Sequence, residues 1–305
     1  MRVLVTGAGS PLGRRVVRAL GHHSVVQLVR PDQPVASGLK ADLVVPDSYG
    51  PAIGKVDALV HLDERAQGPD GPVLDTNLKG TQSLLHACAW LQPGFVLHLS
   101  TALLDHPSPD EPDVAAERYG SAWLAGRCAA EARVNLWARR TGTPTLVVRA
   151  GHAFGATGGD GPLTGYLKAA ANSAEGTGVL ALRGAETPLP FVHVDDLASA
   201  IASRVDGEAL PGERTFVGAL GRAEAVGLVA SLAQVHQAFC ARTERTARLV
   251  EPGGRLGRLL SGSDAQELPR FLQKAPLREA NPAWCSRFGA RRLSELAEAL
   301  VGGAC

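Results

Sequence analysis

Neither sign of charge is in surplus in this chain: 31 Lys and Arg stand against 30 Asp and Glu, a formal net charge of +1. A nucleic-acid or anionic-membrane binder carries a basic footprint, and none exists at the level of the whole chain, so the expected partner is a small molecule. The cysteines Cys88, Cys128, Cys240, Cys285 and Cys305 fall in no CxxC or CxxH spacing. That excludes the common zinc and redox motifs; reduced thiols and no metal are expected. No apolar run approaches the ~20 residues that cross a bilayer. Met1 to Thr6 runs straight into a buried-strand pattern, without the charged, apolar and cleavage regions of a leader, so a cytoplasmic protein is expected. The 305 residues suffice for one large core, or for a nucleotide-binding domain with a smaller lobe.

What is present is alternation. Arg2–Thr6 is a short β-branched run ending in glycines, Leu12–Leu20 has helical periodicity, and Val25–Val29 is apolar again. The rhythm continues with strands at Ala41–Val45, Ala58–Leu62, Phe95–Leu99 and Thr145–Arg149, and with helices around Leu78–Trp90 and Ser121–Arg140. Such alternation predicts a parallel sheet covered on both faces, a Rossmann-type doubly wound α/β fold. Beyond Gly151 it breaks, leaving a strand at Phe191–Val194, a helix at Leu197–Arg204, and pieces around Thr215–Val217, Ala225–Cys240 and Leu293–Val301. Glu251–Pro282 reads as loop-dominated. Residues 1–155 therefore form the expected dinucleotide-binding domain, to which the chain returns around 188–205. Residues 156–187 and 206–305 form a smaller mixed C-terminal substrate lobe.

Gly7-Ala8-Gly9-Ser10-Pro11-Leu12-Gly13 sits where a phosphate loop must sit, after the first strand and opening the first helix, with backbone N–H groups facing a pyrophosphate. At the end of the second strand, where a carboxylate would hold the ribose hydroxyls of NAD, stands Arg30, with Asp32 two residues on. A guanidinium suits a 2′-phosphate and favours NADP(H) over NAD(H).

These motifs and others in order make the whole chain resemble the extended short-chain dehydrogenase/reductases, the NAD-dependent epimerase/dehydratase group. TGAGSPLG (6–13) is similar to the family's TGxxGxxG, Asp42-Leu43 to its adenine-contacting pair, and HLDE (61–64) to its HxAA, which places Leu62 beside the cofactor. NLKGT (77–81) is similar to NVxGT, LST (99–101) to the strand end carrying the catalytic Ser/Thr, RAGHAFG (149–155) to RPxNVYG, and FVHVDDLA (191–198) to the late HVDD signature. The resemblance implies a bound dinucleotide, a small-molecule substrate and a possible homodimer.

It also implies a Tyr that moves a proton and a Lys four residues later that lowers its pKa; a neutral Tyr near 10 is a poor base without that cation. Two registers place the pair. YGSAW (119–123) keeps Tyr119 but puts Trp123 where Lys belongs. WLAGRCAAE (123–131) keeps the family's Glu at Glu131, puts Trp123 at the Tyr and Arg127 at the Lys, and fits the spacing onward to Gly142, Pro144 and Arg149. The second register is preferred, and neither contains a Lys. Ser10 replaces a glycine, Asp63 and Glu64 replace two alanines beside the cofactor, and His152 replaces an Asn. Leu189-Pro190 replaces the Arg-Asp of many nucleotide-sugar enzymes. His193, Asp195 and Asp196 read as strand-to-helix architecture.

Three functions follow as expectations. The first is a biosynthetic enzyme running proton transfer, such as isomerisation, cyclisation or dehydration. In it Thr101 orients an oxygen, Asp63, Glu64 or His152 serves as acid or base, and Arg127, with a second role in cofactor binding, acts as an electrostatic clamp. The second is an NADP(H)-dependent reductase or epimerase using Tyr119 or a water. The third is a non-catalytic dinucleotide-binding protein.

Overall fold

The computed structural model describes residues 1–33, 37–104, 120–155, 163, 165, 167, 179–208, 220–244, 248–250, 266–267 and 293–301. Strand β1 (Arg2–Thr6) explains the architecture by itself. Val3 and Val5 enter one apolar cluster and Leu4 another, so both faces of the strand are covered, as in a parallel sheet between helical layers. After the glycine turn comes α1 (Pro11–Ala19), with Ser10 as N-cap and proline at its first position. Then follow β2 (Ser24–Val29), β3 (Leu39–Lys40), β4 (Ala58–His61), α2 (Gly80–Leu91), β5 (Phe95–Thr101), α3 (Ala122–Thr141) and β6 (Thr145–Ala150).

The chain continues through β7 (His152–Phe154), β8 (Val179–Arg183), β9 (Pro188–His193), α4 (Val194–Val205), β10 (Leu220–Ala225), β11 (Leu228–Ser231), α5 (Leu232–Thr243), β12 (Arg248–Val250), β13 (Gln266–Glu267) and α6 (Leu293–Val301). The large sheet has the order β10-β6-β5-β4-β1-β2-β3, every neighbouring pair parallel. This is the doubly wound fold, with its order reversing between β1 and β4, where such sheets open a crevice at their carboxyl edge. Two three-stranded sheets, β11-β9-β7 and β12-β8-β13, form the smaller part. A separate apolar cluster there joins Phe154, Leu182, Phe191 and Phe239 to Trp123 and Leu124 of α3.

Three sequence expectations shift. The strand expected at Ala41–Val45 is instead the short β3, because Asp42 Oδ1 accepts the Val44 N–H in a turn at 3.0 Å and Pro46 opens a 3-10 turn. The strand of the late signature begins earlier, at Pro188, and ends at His193, whose side chain caps α4. Leu220–Ala225, taken for part of the smaller lobe, is the outer strand of the large sheet; LGRAEA has little β-branched character to betray it. The piece at Thr215–Val217 lies outside the described residues.

Candidate active site

A cleft of about 1130 Å³, counting its open mouth, lies at the carboxyl edge of the large sheet. Its walls are Ser10 to Leu12 at the start of α1, Arg30 after β2, Leu62 and Glu64 after β4, Ser100 and Thr101 at the end of β5, Trp123 on α3, and Ala150 to Gly155 after β6.

The motifs explain how the wall after β4 is held. Thr6 Oγ1 accepts the N–H of Leu62 at 3.2 Å and lies 2.7 Å from His61 Nδ1, while His61 Nε2 lies 2.9 Å from Thr81 Oγ1. Thr81 donates its own proton to the Asn77 carbonyl at 2.7 Å. It must therefore accept from His61, which fixes the Nε2–H tautomer and makes Thr6 the donor to Nδ1. Burial, and secondarily the charge of Arg127, push His61 down to about 3, so this relay stays neutral. Asn77 completes the brace: its Oδ1 accepts Arg65 N–H at 3.0 Å and its Nδ2 donates to the Arg65 carbonyl at 2.9 Å. Glu64 is thus presented from a pinned loop. Sequence reasoning quoted Asn77 only as part of a motif; its position in NLKGT was the available signal.

Glu64 reaches into the cleft. Trp123 Nε1 donates to Glu64 Oε2 at 3.4 Å, and Arg127 Nη1 lies 3.8 Å from the same oxygen. Arg127 is buried, donates through Nη2 to the Leu99 carbonyl, and has no partner at Nε among the described residues. Four residues further along α3, Glu131 is fully buried. It accepts from Arg149 Nε at 3.1 Å and Nη2 at 2.9 Å and from Ser100 Oγ at 2.7 Å, and Arg222 of β10 lies 3.1 Å away. The helix register that brings Trp123 to the cleft and Arg127 to Glu64 is therefore also the one that seats Glu131 on Arg149. Tyr119 lies outside the described residues.

Asp63 is buried and does not itself line the cleft; Nη1 of Arg30, which does, is 3.6 Å from its carboxylate. Burial raises its carboxyl to about 6 despite that cation. Arg30 also donates to the Glu64 carbonyl at 2.8 Å and lies 3.4 Å from Asp32. Thr101 Oγ1 accepts the Leu103 N–H at 3.3 Å, which leaves its own proton to donate into the cleft. His152 lines the cleft edge-on to Phe191, and desolvation pushes it down to about 4, which favours the neutral imidazole near pH 7. Asp42 is exposed and its carboxylate closes a turn, while Leu43 is buried against Gly80; neither lines the cleft. His193 accepts the Asp195 N–H at 3.2 Å and Asp195 pairs with Arg15 of α1 at 2.5 Å, an architectural arrangement as expected from the motif.

The phosphate-loop residues keep the turn but not all its donors. Gly7 has φ +66°, and a Cβ there would lie 2.8 Å from the Asp63 backbone; at Gly13 it would lie 2.1 Å from the Gly7 carbonyl. The Gly9 carbonyl accepts from Arg14 Nη1 at 2.5 Å. Ser10 Oγ accepts the Gly13 N–H at 2.9 Å, Ala8 N–H goes to Leu28 O at 3.3 Å, and Pro11 has no N–H to give. An anion at this helix start would meet fewer amides than a glycine-rich turn supplies. On the same cleft the Glu64 carboxylate stands against Trp123 and Arg127. The residues present keep the glycine turn and the Arg30 of a dinucleotide site, with one amide fewer at Pro11 and a carboxylate added at Glu64.

The family described as NAD dependent epimerase/dehydratase matches residues 3–215. Among solved structures, the fold is similar to a UDP-glucose 4-epimerase from Thermus thermophilus in complex with NAD (18% identity, 99% of each chain covered, TM-score 0.65). It is also similar to an L-threonine dehydrogenase from Phytophthora infestans (15% identity, 99% of this chain and 98% of that one, TM-score 0.69). A third similar structure is RMD from Pseudomonas aeruginosa complexed with NADPH (18% identity, 98% and 96%, TM-score 0.63). No curated protein sequence matches significantly. No helix among the described residues is long and apolar enough to cross a membrane.

Proposed function

The chain belongs to the NAD-dependent epimerase/dehydratase family, and we propose that it is an enzyme that uses this scaffold for proton transfer on a small oxygenated molecule, without the Tyr and Lys of hydride chemistry. The observation that carries this reading is the carboxylate of Glu64 in the cleft, 3.4 Å from Trp123 Nε1 and 3.8 Å from Arg127 Nη1. A carboxylate held from a braced loop and oriented by one indole N–H and one guanidinium is a positioned general base, and after accepting a proton a general acid. The Arg127 guanidinium, buried beside the cleft, holds Glu64 and stabilises negative charge through it rather than moving protons itself. Thr101, whose hydroxyl proton has no acceptor among the described residues, would bind the substrate oxygen. Glu64 takes a proton beside that oxygenated carbon; returning it at a neighbouring carbon gives isomerisation, delivering it to a departing β-hydroxyl gives dehydration, and attack of the deprotonated carbon on an internal carbonyl, with Glu64 protonating the oxyanion formed, gives cyclisation. Asp63 belongs behind the wall, as the partner of Arg30, and His152 serves as a neutral hydrogen-bonding group.

A second reading, an NADP(H)-dependent reductase or epimerase, is favoured by one observation, Arg30 on the cleft wall beside the start of α1. Fluorescence titration of the purified protein with NADPH and NADH separates the two. The first reading expects no tight binding of either by the native protein, and a gain of binding in Glu64→Ala, which removes the carboxylate from the cleft. Micromolar NADPH binding by the native protein would overturn it in favour of the second.

A further inference from the structure

At the opposite edge of the large sheet, away from the cleft, the turn between α1 and β2 carries two consecutive histidines. Their Nε2 atoms converge on one oxygen: His22 Nε2 lies 3.0 Å and His23 Nε2 2.7 Å from Asp206 Oδ1, at the C-terminal end of α4. The two rings are tilted by 44° with centroids 4.0 Å apart, and the three candidate ligand atoms all lie within 4.8 Å of one another. We propose that His22, His23 and Asp206 bind a divalent transition ion of the zinc and copper class, clipping the α1–β2 turn to the end of α4.

The donor set selects the ion. Two imidazole nitrogens and one carboxylate oxygen suit Zn²⁺ or Cu²⁺, whereas Mg²⁺ and Ca²⁺ call for oxygen ligands throughout. Tetrahedral coordination with bonds of about 2.0–2.1 Å sets ligand atoms roughly 3.3 Å apart, so the two His–Asp206 spacings of 2.7 and 3.0 Å need to open by a few tenths of an ångström, and the two imidazole nitrogens already lie within 4.8 Å of each other. Each Nε2 would give up its proton to Nδ1, the tautomer that leaves a lone pair for the metal. The side chains of His22, His23 and Asp206 are 55%, 11% and 30% exposed, so the ion has a path in and water can complete its shell. No short ligand spacing marks the site in the sequence, because its third member stands 183 residues from His23.

The fold makes such a clip consequential. α1 and α4 start together at the cleft, where Arg15 pairs with Asp195, and end together at this cluster. An ion would lock the second end of a helix pair whose first end is already tied, without touching Glu64, Thr101 or Arg127.

The test is calorimetric titration of ZnCl₂ into untagged, EDTA-treated protein, with Co²⁺ as a visible-absorption probe. One equivalent should bind saturably, and Co²⁺ should give d–d bands without the near-ultraviolet thiolate band that a cysteine site would add. At a zinc concentration a hundred times Kd the unfolding equilibrium should shift about 100-fold toward the native state. His23→Ala and Asp206→Asn should each weaken binding at least tenfold. His22→Ala, at the most exposed of the three positions, should do the same and keeps the test intact if either of the others folds poorly. Absence of saturable zinc binding, a thiolate band, or native affinity in all folded variants would overturn the proposal.

Discussion

Replacing Asp63 by asparagine puts a charge-free isostere into a site where the structure places a desolvated acid. Asp63 is 4% exposed, and burial raises its carboxyl from 3.8 to about 6, with the cation of Arg30 only partly opposing. That difference corresponds to ~3 kcal/mol at about 1.36 kcal/mol per pH unit. Its sign follows from which state holds the proton. Below pH 3.8 Asp63 is protonated in folded and unfolded chains alike, and its stabilising contribution is complete. As the pH rises toward about 6 the unfolded chain ionises first, and above that the native state carries an ionised carboxylate stripped of water. The asparagine side chain cannot ionise, so this contribution is missing from the variant, and the difference between the two stability curves isolates it. The variant should match the native protein near pH 4 and exceed it by ~3 kcal/mol above pH 7, a gap of roughly 6–12 °C in Tm at about 2–4 °C per kcal/mol. Thermal unfolding followed by circular dichroism at intervals from pH 4 to 8 reads this directly. Parallel curves, or a variant less stable than the native protein at pH 7.5, would refute the assignment and make Asp63 a well-compensated partner of Arg30.

Glu64→Gln, which keeps the shape but removes the base, should lower kcat on the true substrate by ~10²–10⁴ with the melting temperature little changed; equal turnover would sink the acid–base assignment. Glu131→Ala strands Arg149 in a fully buried position and should cost about 3–5 kcal/mol in urea unfolding, whereas converting both residues to methionine should recover much of that loss. If the single change costs under 1 kcal/mol, the pair is not the internal strut the geometry describes. His152→Gln should leave the pH–rate profile between pH 6 and 8 in place, since the imidazole is neutral there; disappearance of a titrating limb would restore His152 as a proton carrier.

The parts of the fold that were legible in the sequence are those where local pattern and tertiary environment agree. RVLVT reads as a strand because both faces of β1 are buried, and the glycine loop after it marks where α1 opens. Leu220–Ala225 was missed because it borrows its strand conformation from β6 rather than from its composition. The site divided in the same way. Thr101, Glu64, Trp123 and Arg127 could be placed from motif order, since strand ends and a helix register fix them. What they do to one another could not: the reach of Glu64 across the cleft, the turning of Arg30 toward Asp63 and Glu64, and the silencing of His152 by burial depend on residues tens of positions apart.

The outer strand β10 decides where this chain can be cut. The family match stops at residue 215, while the strand that completes the large sheet begins at Leu220. A fragment trimmed to the region of similarity would bare the backbone groups of β6, whose Leu146, Val147 and Val148 are buried in the intact sheet, and would take Arg222 away from Glu131. Such an edge is a template for pairing with other chains. The smallest piece expected to stay monodisperse in expression therefore extends beyond Ala225, and aggregation of a shorter one would report a missing strand rather than an unstable fold.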